Sequence, residues 1–315
     1  MTLILSVFQA VLIAGFAPAV SWFIKKMKAV SQNRVGPRFF QVYFDLIKLF
    51  RKGMVISGTA SWVFHAAPYV FFGGTIAAAL MLPVIWKGAL CGFMGDAILF
   101  VYLLALGRFF LVLAALDTGT AFGGMGSSRE MFLSSLAEPA LLLSFFSIGF
   151  HTKTLSLTGM MSVLAADSPH RVIFFVSLAF GAVLILAIAE SGRIPVDNPA
   201  THLELTMVHE AMVLEYSGRY LALLEWGHQI KQLLFLTLLA NLFFPWGIPD
   251  TFNAVPIVLS LLLYAGKIAV AAWVIGWIEI HFAKLRLFRV PDFLAVAFVL
   301  ALLSFLGQLM VGRGA

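Results

Sequence analysis

Eight apolar windows of about twenty residues alternate with polar stretches along the chain. They lie near residues 3–24, 63–85, 96–115, 131–150, 171–190, 230–247, 255–278 and 291–311. An α-helix rises about 1.5 Å per residue, so a helix of about 20 apolar residues crosses a hydrocarbon core of roughly 30 Å. The pattern predicts an all-α fold, a polytopic membrane helix bundle with about eight transmembrane helices.

Basic residues are distributed unevenly among the polar stretches. Fifteen Lys and Arg lie in the four odd-numbered connections, and four lie in the even-numbered connections and the C-terminal tail. Because basic loops favour the cytoplasmic side, we expect both termini outside and the long stretches 25–62 and 191–229 in the cytoplasm. The first window has basic residues after it rather than before it, so we expect a retained helix rather than a signal peptide. The chain shows no linker or repeat, so residues 1–315 are expected to form a single transmembrane domain.

Composition excludes an ordinary soluble domain. The 315 residues are 61% hydrophobic and 11% charged, with a mean hydropathy of +0.98. In such a chain the net charge of +6 is explained by membrane topology and indicates no nucleic-acid partner. Cys91 is the only cysteine, so this chain alone cannot form a disulfide or a Cys-ligated metal cluster. Redox metals, if they are used, are expected in partner subunits.

A short amphipathic segment follows the turn signal at 33–37. After Pro37, apolar residues alternate with polar ones, and Asp45, Lys48 and Lys52 recur at helical spacings of three and four. The segment predicts a helix that is too short to span and lies on the membrane surface. It is either a simple interfacial anchor or the wall of a cavity that opens to a cytoplasmic partner.

Three ionisable residues, Arg108, Glu138 and Lys267, fall well inside predicted spans. Each costs a few kcal/mol in a membrane unless it faces a partner or water. Glu138 lies nine residues beyond Arg129, so we expect it roughly 13 Å below the cytoplasmic surface. Burial penalises the charged form of a carboxyl, which suits a site that loads and releases protons. The alternative is a purely structural pair between Glu138 and Arg108.

Further acids lie at the predicted cytoplasmic ends of the spans. Asp117, Glu190 and Glu279 occupy such ends, and the series continues into the long loop with Asp197, Glu204, Glu210 and Glu215. With interposed water, these carboxylates could relay protons towards Glu138, and Arg193 and Arg219 are the expected counter-charges. A solvated face explains Glu204, Glu210 and Glu225 almost as well, so Glu190, Asp197 and Glu215 are the preferred candidates.

Several apparent motifs do not support an enzyme site. His209-Glu210 lacks the second histidine of a metalloprotease helix, and His202 with Glu204 is weak metal spacing, so structural histidines are favoured. The glycine-rich stretch at 122–126 has neither phosphate-binding nor dinucleotide-binding spacing and is expected to be a flexible loop. We find no nucleophile paired with a base.

Two regions carry a family resemblance. NRVGPRFFQVYFDLIKLFRK at 33–52 and AESGRIPVDNP through EYSGR at 189–219 resemble the signature regions of the membrane subunit of respiratory complex I that adjoins the quinone cavity. Three further stretches more closely resemble the membrane-bound group 4 [NiFe] hydrogenases: LDTGTAF at 116–122, GSSRE at 126–130 and Glu138-Pro139. Within those hydrogenases, the resemblance is to the subunit type of formate hydrogenlyase subunit 4 and hydrogenase-4 component C.

The resemblance implies a non-catalytic anchor and coupling subunit in the inner membrane of a prokaryote, with no cofactor of its own. It implies partners that carry a [NiFe] centre and Fe–S clusters, namely hydrogenase large and small subunits and ferredoxin-like subunits of a cytoplasmic arm. It also implies antiporter-like membrane subunits that move protons or sodium ions. Ala200 and His202 stand where quinone-using relatives commonly carry glutamates. Gly53 stands where those relatives usually end the surface helix with Lys-Glu.

By position the resemblance assigns proton transfer and coupling to Glu138, Glu190, Arg193, Asp197, Glu204 and Glu215. Four further residues join this set because they lie inside the predicted spans or at their ends: Asp117, Arg108, Lys267 and Glu279. The residues expected to dock the arm or to wall the cavity are Arg34, Gly36, Pro37, Asp45, Lys48 and Arg219. The alternatives are a quinone-site subunit of complex I, a self-sufficient secondary transporter, or a passive anchor.

Overall fold

Each of the eight predicted windows coincides with a helix over most of its length. The computed structural model describes residues 2–87, 96–166, 173–197, 207–249 and 254–313. The helices are α1 (Thr2–Ser31), α2 (Gln41–Arg51), α3 (Trp62–Met81), α4 (Asp96–Asp117), α5 (Ala121–Thr152), α6 (Leu157–Ala166), α7 (Ile173–Glu190), α8 (His209–Val213), α9 (Gly218–Phe243), α10 (Ala254–His281) and α11 (Val290–Arg313). The described ranges contain helices and connections but no strand, so the predicted all-α class is confirmed.

Six of the described helices are long and apolar enough to cross a membrane: α1, α3, α4, α5, α10 and α11. The other two windows form α7 and α9. The apolar half of α9, from Ile230 to Leu242, is almost entirely buried, so it contacts neighbouring helices rather than lipid. The charged residue in this half, Lys231, is therefore surrounded by protein.

Helix boundaries differ from the predicted loop boundaries at one end of the bundle. We call this end, which carries residues 32–61, 191–197 and 207–217, the polar end. Helix α1 continues to Ser31 and α9 already begins at Gly218, so the predicted loops 25–62 and 191–229 are too long. Sequence hydropathy places a boundary where charge appears, whereas these helices continue beyond their apolar part.

The glycine-rich stretch at 122–126 is helical, and the predicted flexible loop is wrong. The Thr120 side chain caps α5 by accepting a hydrogen bond from the Gly123 amide at 3.2 Å. A Cβ atom on Gly126 would lie 2.9 Å from the Val208 carbonyl oxygen. Gly126 therefore allows close packing of α5 against α8.

Glycines also bring α3 and α4 together. A Cβ atom on Gly74 would lie 2.9 Å from the Leu103 carbonyl oxygen, and one on Gly107 would lie 3.1 Å from the Phe71 Cα atom. Small residues at helix interfaces in membranes allow such close backbone approach, which increases van der Waals contact. The contact positions α4, and with it Arg108, against its neighbours.

We expect Gly74→Leu to lower the free energy of unfolding by about 1–3 kcal/mol, because the added side chain must push α3 from α4. Gly73→Leu is the matched control, since a Cβ atom there meets nothing within 4 Å. Thermal unfolding of the purified protein in detergent measures both variants. Equal melting temperatures would contradict the close contact at Gly74.

The predicted short amphipathic helix is confirmed as α2, and it is fixed to α1. Trp22 Nε1 donates a hydrogen bond to the Pro37 carbonyl at 3.0 Å, and the Tyr43 hydroxyl donates to the Gly15 carbonyl at 2.7 Å. Val42 and Leu46 are buried on the inner face. The outer face of α2 remains available to lipid or to a partner.

Candidate functional site

Arg108 is the centre of a buried charged cluster. It lies on α4 with 5% exposure. Its Nη1 atom donates a hydrogen bond to Glu138 Oε1 at 3.1 Å, its Nε atom lies 3.5 Å from Glu130 Oε1, and its Nη2 atom donates to Glu190. Glu130 and Glu138 come from α5, and Glu190 ends α7. One guanidinium group thus joins three helices.

Lys231 adds α9 to this cluster. Its Nζ atom lies 2.6 Å from Glu190 Oε2, and both side chains are nearly inaccessible to solvent. The cluster then has two formal positive charges, on Arg108 and Lys231, and three formal negative charges, on Glu130, Glu138 and Glu190. A buried net charge is unfavourable, and one proton taken up by a carboxyl neutralises the cluster.

A second ion-pair group lies beside the first, nearer α1 and α10. Arg193 Nη1 donates to Glu279 Oε1 at 3.3 Å, and its Nη2 atom donates to Gln232 Oε1 at 3.0 Å. Lys28 on α1 approaches the other Glu279 oxygen at 3.7 Å. The Glu279 side chain is fully buried, so both cations act on it at close range.

Asp197 organises the start of α8. Its Oδ2 atom accepts hydrogen bonds from the Val208 and His209 amides at 3.2 and 3.4 Å. Lys284 contacts the other oxygen at 2.7 Å. A carboxylate at a helix N-terminus satisfies free amides, so Asp197 fixes His209 and Glu210 above the buried clusters.

A polar cavity of about 130 Å³ connects these groups. This volume holds about four water molecules at ~30 Å³ each. Acids and bases both line it: Glu130, Glu190, Asp197, Glu210, Glu225, Lys25, Arg193 and Lys231. A second cavity of about 20 Å³ touches Arg108, Glu130 and Glu190. It has room for about one water, so the site can be hydrated from Asp197 to Arg108.

Two groups on α8 have shifted proton affinities. Burial, with further contributions from Glu225 and Asp197, raises the pKa of Glu210 to about 7. Burial, with the positive charge of Lys231, lowers the pKa of His209 to about 3. At neutral pH the imidazole of His209 is therefore uncharged, and Glu210 is partly protonated.

We expect Glu210→Gln to remove part of the pH dependence of stability. Because folding raises the pKa of Glu210, the contribution of this group to stability is fully present below its ordinary pKa of 4.5 and is lost as pH rises through about 7. The loss is on the order of 2 kcal/mol after allowance for partial exposure. Melting temperatures of wild type and variant between pH 5 and 8 measure it. Glu215→Gln, at an exposed site, is the control, and parallel curves for wild type and Glu210→Gln would contradict the prediction.

Six predicted coupling residues lie in or beside this site: Arg108, Glu138, Glu190, Arg193, Asp197 and Glu279. Asp117 does not, because its Oδ2 atom accepts a hydrogen bond from the Ser61 amide at 2.6 Å, where α3 begins. Lys267 does not either. Its Nζ atom donates to the Phe244 and Trp246 carbonyls at 2.6 Å each, beyond the far end of α9.

Of the two predicted counter-charges, Arg193 is confirmed, because it pairs with Glu279 of the predicted acid series, whereas Arg219 pairs with none of the buried acids that the structure describes. Arg193 binds Glu279, whereas Glu190 is bound by Arg108 and Lys231 and Asp197 by Lys284. Arg219 and Glu215 are both exposed at the polar end. The reason is that Arg108 and Lys231, from other helices, already bind Glu190, and Lys284, from the connection after α10, already binds Asp197.

The predicted docking residues lie on the surface or against α1. Arg34, Asp45 and Lys48 are exposed, while a Cβ atom on Gly36 would lie 2.7 Å from the Lys26 side chain, so that turn packs on α1. Glu204 lies in 198–206, outside the described residues. Among the residues that are described, no group of three or more His, Cys, Asp or Glu side chains is arranged to hold a metal ion.

Sequence reasoning missed four residues of the site: Glu130, Lys231, His209 and His228. Glu130 precedes Glu138 by eight residues, which places both on one helix face, and this spacing could have identified it. Lys231 lies at the very start of an apolar window, where the sequence does not show whether a basic residue faces solvent or the protein interior. His209 was considered as a metal ligand and then as a structural residue.

Comparison with known proteins decides the family. The sequence profile of the NADH dehydrogenase family matches residues 3–309. The chain belongs to the NADH dehydrogenase family. Formate hydrogenlyase subunit 4 of Escherichia coli (strain K12) is 33% identical over 309 residues, covering 98% of this chain and 99% of the relative. Hydrogenase-4 component C of the same organism is 32% identical over 262 residues, covering 82% and 81%.

Two further matches have lower sequence identity. An NADH-quinone oxidoreductase subunit of Rubrobacter xylanophilus is 26% identical over 263 residues, covering 82% of this chain and 78% of the relative. A chain from the structure of the membrane-bound sulfane sulfur reductase, an archaeal respiratory membrane complex, superposes with a TM-score of 0.75 at 20% identity, covering 96% of this chain and 99% of that chain. This confirms the fold, and the predicted family resemblance is confirmed by the relatives. The chain is a multi-pass membrane protein whose relatives are subunits of larger complexes.

Proposed function

We propose that this chain is the membrane anchor and coupling subunit of a complex I-like group 4 [NiFe] hydrogenase in the inner membrane of a prokaryote. Its similarity to formate hydrogenlyase subunit 4 over almost the whole of both sequences supports this assignment. The observation that carries the mechanism is the charged cluster around Arg108, which joins α4, α5, α7 and α9 beside a polar cavity.

The polar end would dock the hydrophilic arm of the complex. Its stretch 32–61 is basic, and α2 presents Asp45 and Lys48 on an exposed face. On the proposed topology this end faces the cytoplasm and both termini lie outside. The [NiFe] centre and Fe–S clusters belong to arm subunits, and this chain carries out no redox chemistry in the proposal.

The buried groups would pass protons laterally. Protons enter the cavity near Glu210, move through water to Glu190, and reach Glu138 beside Arg108. The Glu138 side chain is 31% exposed and borders an open groove of about 680 Å³ between α4 and α5. An antiporter-like membrane subunit at that groove would receive the change in charge and convert it into movement of protons or sodium ions.

The rival assignment is a quinone-site subunit of complex I. The polar cavity of about 130 Å³ is lined by charged and polar side chains. This lining favours water and protons over the apolar tail of a quinone. The whole complex can be purified through an affinity tag on this chain from native membranes in mild detergent. We expect nickel, hydrogenase-type large and small subunits and hydrogen evolution, with an untagged strain as control. A nickel-free complex that reduces quinone and is inhibited by quinone-site blockers would contradict the proposal.

A further inference from the structure

Two histidine rings meet at the wall of the polar cavity. His209 begins α8 and His228 lies on α9, and their ring centroids are 3.6 Å apart at an interplanar angle of 78°. Both residues line the cavity. The Nε2 atom of each is buried and has no hydrogen-bond partner among the residues that the structure describes.

Two unpartnered ring nitrogens at one place indicate bound water. Buried polar side-chain atoms nearly always have a hydrogen-bond partner, and the adjoining cavity of about 130 Å³ can supply water. Phe71 on α3 packs against His228 at a centroid distance of 5.0 Å. This aromatic contact covers part of the His228 ring with apolar surface.

The order of groups along α9 places the pair between the outer and inner acids. Glu225, His228 and Lys231 follow one another at intervals of three residues from the polar end inwards. Successive positions at this spacing lie on neighbouring turns of one helix face. Glu225 therefore lies on the outer side of the pair, and Lys231, which holds Glu190 at 2.6 Å, lies on the inner side.

The charges around the pair are mixed. Glu210 adjoins His209 in sequence, and Asp197 accepts hydrogen bonds from the backbone of α8. Lys231 and Arg108 provide positive charge from α9 and α4, and Glu190 provides negative charge from α7. Two rings at this separation can together hold one extra proton. Two extra protons would place two positive charges side by side, and these would repel each other strongly.

We propose that His209 and His228 form a one-proton relay between Glu210 and Glu225 on the outer side and Glu190 on the inner side. The inference rests on the proposed function. A neutral imidazole accepts a proton at Nε2 from a carboxylic acid or hydronium ion in the cavity, which becomes a carboxylate or water. The same nitrogen then releases the proton through water to Glu190, so the ring returns to its neutral state and no electron is transferred.

The test uses the intact complex in inverted membrane vesicles. His228→Ala is expected to slow ion translocation on the order of 10²-fold, the scale for loss of a positioned proton-transfer group. Added imidazole is expected to restore much of the rate, which replacement of a merely structural side chain would not show. His209→Ala is the second variant. Because the two histidines form one step of the proton route, the double variant should be no slower than either single variant.

Two controls separate the inference from the proposed function. His281→Gln, at an exposed histidine near the end of α10, should leave translocation unchanged. If Glu190→Gln blocks translocation while both histidine variants translocate normally, the relay is wrong and the proposed function stands. If Glu190→Gln also translocates normally, the proposed function itself fails. Loss of translocation in the histidine variants without rescue by imidazole also overturns the relay.

Discussion

The Arg108→Met variant is expected to lose about 3–5 kcal/mol of folding free energy, the range for removing one partner of a buried ion pair. Arg108 is almost inaccessible and contacts Glu130, Glu138 and Glu190. Methionine of similar length preserves packing but leaves the carboxylates of α5 without their cation. Thermal unfolding of the purified complex, with the yield of assembled complex, measures the loss.

Arg219→Met is the matched control, because it removes the same charge from an exposed site. A change within about 0.5 kcal/mol is expected there. Combining Arg108→Met with Glu190→Gln should cost less than the sum of the two single losses, by roughly 0.5–3 kcal/mol, because the residues are in contact. A wild-type melting temperature for Arg108→Met would contradict the assignment of Arg108 as the centre of the cluster.

Sequence alone predicted the helices and the intramembrane charges, because both depend on local properties. Apolar length determines which segments can span, and each of the eight windows coincides with a helix over most of its length. An isolated charge such as Arg108 or Glu138 is costly in a membrane, so each must have a partner. Their mutual hydrogen bond at 3.1 Å agrees with the structural pairing that sequence reasoning had considered.

Pairing partners could not be predicted, because they depend on which helices are neighbours. Arg193 binds Glu279 across 86 positions of sequence rather than the nearby Asp197. Lys267 satisfies the same energetic need by a different route, since its ammonium group binds two backbone carbonyls instead of a carboxylate. An intramembrane charge therefore indicates that a partner exists but does not identify it.

Glu190→Gln is expected to abolish translocation while leaving the complex assembled. Glu190 borders both cavities and receives hydrogen bonds from Arg108 and Lys231, so it connects the outer water to the inner cluster. Glutamine keeps the shape and a hydrogen-bond acceptor but cannot carry a proton. Electron transfer by the peripheral arm to an artificial carrier should persist, whereas ion movement should fall on the order of 10²-fold or more.

The number of ions moved per electron pair, measured in inverted vesicles that contain the assembled complex, tests the central claim most directly. The claim is that hydrated carboxylates from the polar cavity to Glu138 form one proton-conducting route. Glu190→Gln should show a ratio near zero, while wild type and the exposed-site variant Glu215→Gln should share one value. A wild-type ratio in Glu190→Gln would contradict the account, because the route would then not pass through the buried cluster.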